Sequence, residues 1–269
     1  MTTEPQESAD KKRVSSPMQL QLELLKRILT RSGELVFDPV QDAVSKDQTD
    51  PRSEWINQFF YNGVVGRSVV EIGCWTGITL RDLARFGATR CVGLDLNGPW
   101  LTEAQRAFPN GEFIAISSLD EIPSKLLHTF DIALLLETLE HLPKGTELSA
   151  FKQLASLLNP TGVAIVSTPA EGLSRITDPA WALTGHRHYS ARRLQSLMYE
   201  AGLQPTYLGY SGNLRSLLNT INHYLAKYFP ILTRQQADNK NLVNSTFRVT
   251  TGRSPFAQSI WIVATPITM

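Results

Sequence analysis

The chain has little to cross-link it and little charge to bring to a partner. Two cysteines, Cys74 and Cys91, stand in 269 residues. That is too few for the disulfide framework of a small secreted domain, and it reads as two free thiols in a reducing compartment. A cytoplasmic location is expected on that ground. Basic and acidic residues number 26 and 25, for a net charge of +1. Without a basic field, the balance argues against nucleic acid as a partner. No apolar run approaches the roughly 18 residues of a membrane span. The longest, Ile132 to Leu136, suits a buried strand. Nothing apolar follows Lys11-Lys12-Arg13, so no secretory leader is expected. The chain also lacks an internal repeat and a linker that would split it.

What is present is an ordinary globular balance, 42% hydrophobic and 19% charged, enough for one large α/β domain. Residues 1–16 read as a polar, disordered tail, and 17–269 as a single domain. Within it, 17–66 hold helices: Met18 to Thr30 with Leu22, Leu25 and Leu29 on one face, and Ser53 to Tyr61 presenting Trp55, Phe59 and Phe60. Residues 67–211 form the core, in which short apolar runs alternate with helical segments, as in a parallel sheet with crossover helices.

Strands are expected at 68–73, 90–95, 112–117, 130–136, 162–168, 205–211 and 258–265. Helices are expected at 77–86, 98–107, 119–126, 146–158 and 190–202. The fold class is α/β: a doubly wound, seven-stranded, mostly parallel sheet with helices on both faces and an antiparallel last strand in 258–269. Residues 212–257 form a variable segment that opens with an amphipathic helix, Asn213 to Phe229. Its apolar stripe would pack on the sheet, on a second copy in a homodimer, or over an acceptor as a lid.

In such sheets ligands bind beyond the carboxyl ends of the strands. The run Val69-Val-Glu71-Ile-Gly73-Cys74-Trp75-Thr-Gly77 ends a strand, turns on glycine and opens a helix. Gly73 lets the backbone turn and approach a ligand, and Gly77 presents helix amides to it. An ordinary strand-to-helix turn shares that pattern. The next strand ends Gly93-Leu94-Asp95-Leu96, and a carboxylate at a second strand tip can accept both hydroxyls of a ribose. Trp75, at the second glycine position of a dinucleotide fingerprint, would crowd a pyrophosphate and disfavours a dinucleotide.

Taken together, Glu71 to Gly77 resembles the first motif of class I S-adenosylmethionine-dependent methyltransferases, acidic-x-Gly-x-Gly-x-Gly. Asp95 matches the acid that in the family holds the adenosine ribose, and Phe113 to Pro123 resembles the third strand and adenine loop. Phe130 to Pro143 resembles the fourth-strand motif, Leu158 to Gly162 the turn into the fifth strand, and His186 to Ser190 the approach to the sixth. The resemblance covers roughly Ser68 to Gly209 and extends to ubiquinone-pathway O-methyltransferases.

It implies S-adenosyl-L-methionine as cofactor, held by Glu71, Gly73, Cys74, Trp75, Gly77, Asp95, Leu96, Ser118, Leu119 and Glu137. It implies a small-molecule acceptor, with oxygen favoured. Two departures stand out: Trp75 replaces the middle glycine, and Ser118 stands where an aspartate often bonds the adenine. They leave a catalytically silent relative as an alternative.

Acceptor chemistry is expected at the end of strand four, where His141 and then His186 are the candidate bases. Glu137-x-x-Glu140-His141 also resembles the divalent-ion motif of small-RNA 2′-O-methyltransferases. That keeps an RNA acceptor open, although no metal ligand is assigned.

Overall fold

The computed structural model describes residues 49–96, 98–173, 186–218 and 247–267. All of them belong to one compact unit, Pro39–Met269. The expected tail, the helix from Met18 and the amphipathic helix beyond Leu218 lie outside the described residues.

In chain order the elements are α1 (Pro51–Phe59), β1 (Ser68–Ile72), α2 (Ile78–Arg85), β2 (Arg90–Asp95), α3 (Pro99–Ala107) and β3 (Glu112–Ala115). There follow β4 (Phe130–Leu136), α4 (Glu147–Leu157), β5 (Leu158–Pro169), α5 (Ala191–Glu200), β6 (Leu203–Ser211), β7 (Val249–Thr250) and β8 (Ser259–Pro266). The sheet runs β3-β2-β1-β4-β5-β8-β6-β7. Strands β1 to β5 are parallel, and β8 lies antiparallel between β5 and β6. The doubly wound sheet is therefore as expected, with one strand more. The addition, β7, is two residues long and pairs antiparallel to β6, too short to leave a period in the sequence.

A second difference lies at 119–126, read as one helix. Two 3-10 turns stand there instead, Leu119–Glu121 and Ser124–Leu126. Pro123 separates them, since it has no amide to continue a helix. Ile122 and Leu126 are still buried, and their spacing is what imitated a helical face.

The parallel strands are buried on both faces, so their side chains sort by alternation. Val70, Ile72, Ala133 and Leu135 face α4 and α5, against Phe151, Leu154, Leu194 and Met198. Val69, Ile132 and Leu134 face α1, α2 and α3, against Ile56, Leu80, Leu83 and Leu101. Strand β8 repeats the rule, with Trp261 on the second face. Its indole N–H donates to the Ser211 hydroxyl at 3.0 Å, and its ring meets Trp55 of α1 at 4.8 Å. That contact fixes α1 against the sheet.

Strand order reverses between β1 and β4. The segments after β1, β2 and β4 therefore meet at one crevice, where the topology places a ligand. Among the described residues no helix is long and apolar enough to cross a membrane.

Candidate active site

The crevice is built on left-handed backbone. Gly73 has φ +76° and Gly77 +68°, and Trp75 between them has +48°. Side chains avoid this region because Cβ crowds the carbonyl. Trp75 thus keeps the conformation that a middle glycine would give, at a cost of order 1–2 kcal/mol.

Asp95 offsets that cost. Its Oδ2 accepts the Trp75 amide at 2.6 Å and its Oδ1 accepts the Leu96 amide at 2.7 Å. One carboxylate thereby ties the tips of β1 and β2 together, and each oxygen keeps a second lone pair for a ligand hydroxyl.

Both glycines are required by packing as well as by φ. A Cβ on Gly73 would run into Oγ1 and Cγ2 of Thr138, in the turn after β4. A Cβ on Gly77 would come within 2.6 Å of the Phe113 ring. Gly77 caps α2 without a side-chain bond, so the first amides of that helix face the crevice. Cys74 plays another part than expected. It is buried, its sulfur lies where a Cβ on Gly93 would stand, and burial pushes its thiol well above the ordinary range. Its contribution to a ligand site is backbone. Leu96 and Ser118 are exposed and Leu119 half-buried, all beyond the tips of β2 and β3.

Charge is concentrated at the strand ends. Glu71 is 3% exposed, and its Oε2 is buried without a hydrogen-bond partner. Burial pushes its pKa up to about 8, against the pull of Arg52. Glu137 follows β4 with φ +47°. Burial raises its pKa too, opposed by the Ser167 and Ser259 hydroxyls and by Arg52. Arg52 was not singled out in the sequence. It sits in the first turn of α1, where the helix dipole disfavours a cation. Asp50, the N-cap, holds it with Oδ2 at 2.9 Å from Nε and 2.5 Å from Nη2. The Asp50 amide in turn donates to the buried Asp82 carboxylate at 2.9 Å. The result is a guanidinium whose field reaches both Glu71 and Glu137.

On the β4 side, Glu140 is buried and accepts the Thr168 hydroxyl at 2.9 Å. Burial, then the charge of Glu137, raises its pKa. His141 and His186 are brought together, Nε2 to Nε2 at 3.1 Å. Lost hydration, then His186 and Arg187, push the His141 pKa down, so it is neutral at pH 7. Glu140, His141 and His186 offer ligand atoms within 4.8 Å of one another, a set that could hold a metal ion. The sequence reading groups Glu137, Glu140 and His141 with His186 or His188 as a further ligand; here His186 joins Glu140 and His141, and Glu137 is not in the set.

The doubly wound sheet, with a glycine turn after β1 and an aspartate at the tip of β2, is the α/β fold of the methyltransferase kind. The family comparison agrees. The methyltransferase-domain profile matches residues 37–208, and the chain belongs to that family, an S-adenosylmethionine-dependent class.

The chain is 33% identical over 122 residues to the ubiquinone biosynthesis O-methyltransferase of Albidiferax ferrireducens, covering 44% of this chain and 46% of that one. It is 34% identical over 114 residues to the enzyme of the same name from Haemophilus ducreyi, at 40% and 47% coverage. It thus spans about half the length of the curated relatives it matches. Among solved structures, geranyl diphosphate C-methyltransferase from Streptomyces coelicolor superposes with a TM-score of 0.55, 13% identity and coverage of 80% and 78%. The [4+2]-cyclase SpnF does so at 0.57, 15% identity and coverage of 84% and 86%. At such identities the likeness is one of fold.

Two outcomes follow from this geometry. Valine at position 73 must take a left-handed φ and displace Thr138. Gly73→Val is therefore expected to abolish S-adenosylhomocysteine binding in calorimetry, and normal binding would contradict the described turn.

The second concerns Glu71 in ligand-free protein. The folded state keeps its proton up to about pH 8, while the unfolded chain sheds it near pH 4.3. Between those values the folded state binds more protons, so stability falls as pH rises. Glu71→Gln removes that slope. Its stability relative to wild type is expected to grow by at most about 1.4 kcal/mol per pH unit from about pH 5 to 8. Urea midpoints across pH measure this, and a gap that stays constant would contradict it.

Proposed function

We propose that the chain is an S-adenosylmethionine-dependent methyltransferase acting on a small-molecule acceptor through oxygen. The observation that carries the reading is the cradle itself. Left-handed Gly73, Trp75 and Gly77 turn the chain after β1 beside the Asp95 carboxylate, and the buried Glu71 Oε2 lacks a donor.

When bound, the cofactor supplies an electrophilic methyl on a sulfonium. The chain's own residues do the rest. Asp95 accepts the ribose hydroxyls with the lone pairs its amide bonds leave. Leu96, Ser118 and Leu119 border the adenine. Arg52 suits the α-carboxylate of the methionine part, which a guanidinium can bind with two parallel bonds. Glu71 and Glu137 suit its ammonium, and a cation there would draw their raised pKa values back down.

On the acceptor side, neutral His141 would take the proton of an acceptor hydroxyl as that oxygen gains the methyl. A proton taken at Nδ1 would let the one on Nε2 pass to His186 Nε2, 3.1 Å away. The curated relatives are O-methyltransferases by name, which supports oxygen over nitrogen or carbon. The near-neutral charge favours a small acceptor over RNA.

A second reading of the histidines is a metal ion on Glu140, His141 and His186. Their ligand atoms lie within 4.8 Å of one another, and an ion held there would acidify an acceptor hydroxyl.

The cofactor reading is tested by calorimetry. S-adenosylhomocysteine is expected to bind, and Asp95→Ala to weaken binding by about 1.5–3 kcal/mol. No binding to folded wild type would sink the reading. The acceptor reading is tested by methyl transfer to a panel of phenols, catechols and amines. His141→Ala is expected to lower turnover by about 10²-fold with cofactor affinity nearly intact. Loss of wild-type activity with chelator, restored by Mg²⁺ or Mn²⁺, would instead assign the histidines to a metal. Full activity of the alanine variant would remove His141 from both roles.

A further inference from the structure

His141 and His186 lie on segments 45 residues apart in the chain, and both are side chains of irregular backbone. His141 belongs to the turn after β4, where its amide donates to the Thr138 carbonyl at 3.0 Å. His186 belongs to the extended stretch before α5. Neither helix nor strand hydrogen bonding sets their separation. The residue that bridges the two segments is Arg187, next to His186.

Its guanidinium reaches back under the β4 turn. Nη2 donates to the Leu139 carbonyl at 2.7 Å and to the Leu142 carbonyl, and Nε donates to the Glu140 carbonyl at 3.3 Å. Nη1 donates to the Glu147 carboxylate at the start of α4. The Tyr189 hydroxyl stands 3.3 Å from both the Leu139 carbonyl and Glu147 Oε1. The Arg187 side chain is 20% exposed and its Glu147 partner 13%, so water competes little for these bonds.

Three carbonyls of a four-residue turn therefore converge on one rigid fork, with His141 between the second and the third. The Glu140 carbonyl lies in the peptide plane that leads into His141, and the Leu142 carbonyl in the plane one peptide beyond it, so one cation brackets the backbone of His141 and limits the direction of its side chain. The same fork holds the backbone next to His186. A lysine offers the charge but a single nitrogen, which cannot span these acceptors.

We propose that Arg187 is a positioning residue for methyl transfer, seating His141 against His186 by gripping the carbonyls of Leu139, Glu140 and Leu142. The proposal rests on the reading of that histidine pair as the acceptor-side base. It assigns Arg187 no contact with cofactor or acceptor. It places the accuracy of the base in a residue that a charge-conserving substitution would disable.

The test needs no acceptor. In protein with ¹⁵N-labelled histidine, a hydrogen bond between the two Nε2 atoms gives a scalar coupling across N–H···N. Wild type is expected to show it. Arg187→Lys is expected to lose it while S-adenosylhomocysteine affinity stays within about twofold, since the cofactor side is held by other residues. Undiminished coupling in Arg187→Lys would overturn the proposal. Absence of coupling already in wild type would overturn the pairing of the histidines, and the proposal with it.

A second measurement uses wild type alone, in case the variant does not fold. The Arg187 Nε–H is expected to exchange with solvent much more slowly than that of exposed Arg192. Equal exchange rates would show that the fork is not held, and would overturn the assignment independently.

Discussion

The hydrogen bond from the Trp75 amide to the Asp95 carboxylate, 2.6 Å long, is the contact on which the rest of the site depends. It spans the tips of β1 and β2 and holds a left-handed tryptophan where a glycine would be unstrained. A charge-assisted bond of that length contributes about 1.5–3 kcal/mol, enough to offset the 1–2 kcal/mol or so that the conformation costs. With the turn fixed, Gly73 can lie against Thr138 and Gly77 against Phe113. The ends of β1, β3 and β4 are thereby brought to one crevice. Asp95 is then the brace that shapes the cradle, and the proposed function gives it a ligand to bind as well.

The second constraint is electrostatic. Glu71, Glu137 and Glu140 are acids near strand ends of a largely apolar sheet, and burial raises the pKa of each. Without ligand they favour the neutral form, so the fold carries fewer buried charges than a count of carboxyls suggests. Arg52, held by Asp50, is the opposing charge at one end of the crevice. On the acceptor side Arg187 plays the matching part, but toward backbone carbonyls. Each arginine is anchored by its own carboxylate. Binding a zwitterionic group between Arg52 and the acids would use both signs at once. That is a physical reason for keeping ionisable groups where a sheet would prefer leucine.

Much of this was legible in the sequence because it is local. A glycine turn after an apolar strand fixes its own backbone, so Gly73 and Gly77 could be placed, and so could Asp95 at the next strand tip. The order of strands followed from alternation of period and length. What escaped was tertiary or too short. Arg52 has its meaning from Glu71 and Glu137, which are distant in the chain. His141 and His186 were read as candidate bases on either side of one cleft, but the part of Arg187 between their segments has no signal in the spacing. Pro123 should have broken the helix read at 119–126, yet the buried Ile122 and Leu126 imitated a helical face. Strand β7 has two residues and no pattern. Cys74 looked like part of the ligand loop, and its sulfur instead packs where Gly93 leaves space.

The central claim is that the crevice between β1, β2 and β4 binds S-adenosylmethionine in one orientation. A crystal structure with S-adenosylhomocysteine tests it most directly. The account predicts the ribose hydroxyls on Asp95, the adenine against Leu96, Ser118 and Leu119, and the amino-acid end between Glu71 and Arg52. The sulfur would then point toward His141. Density for the ligand elsewhere, or in this crevice with the ribose away from Asp95, would contradict it.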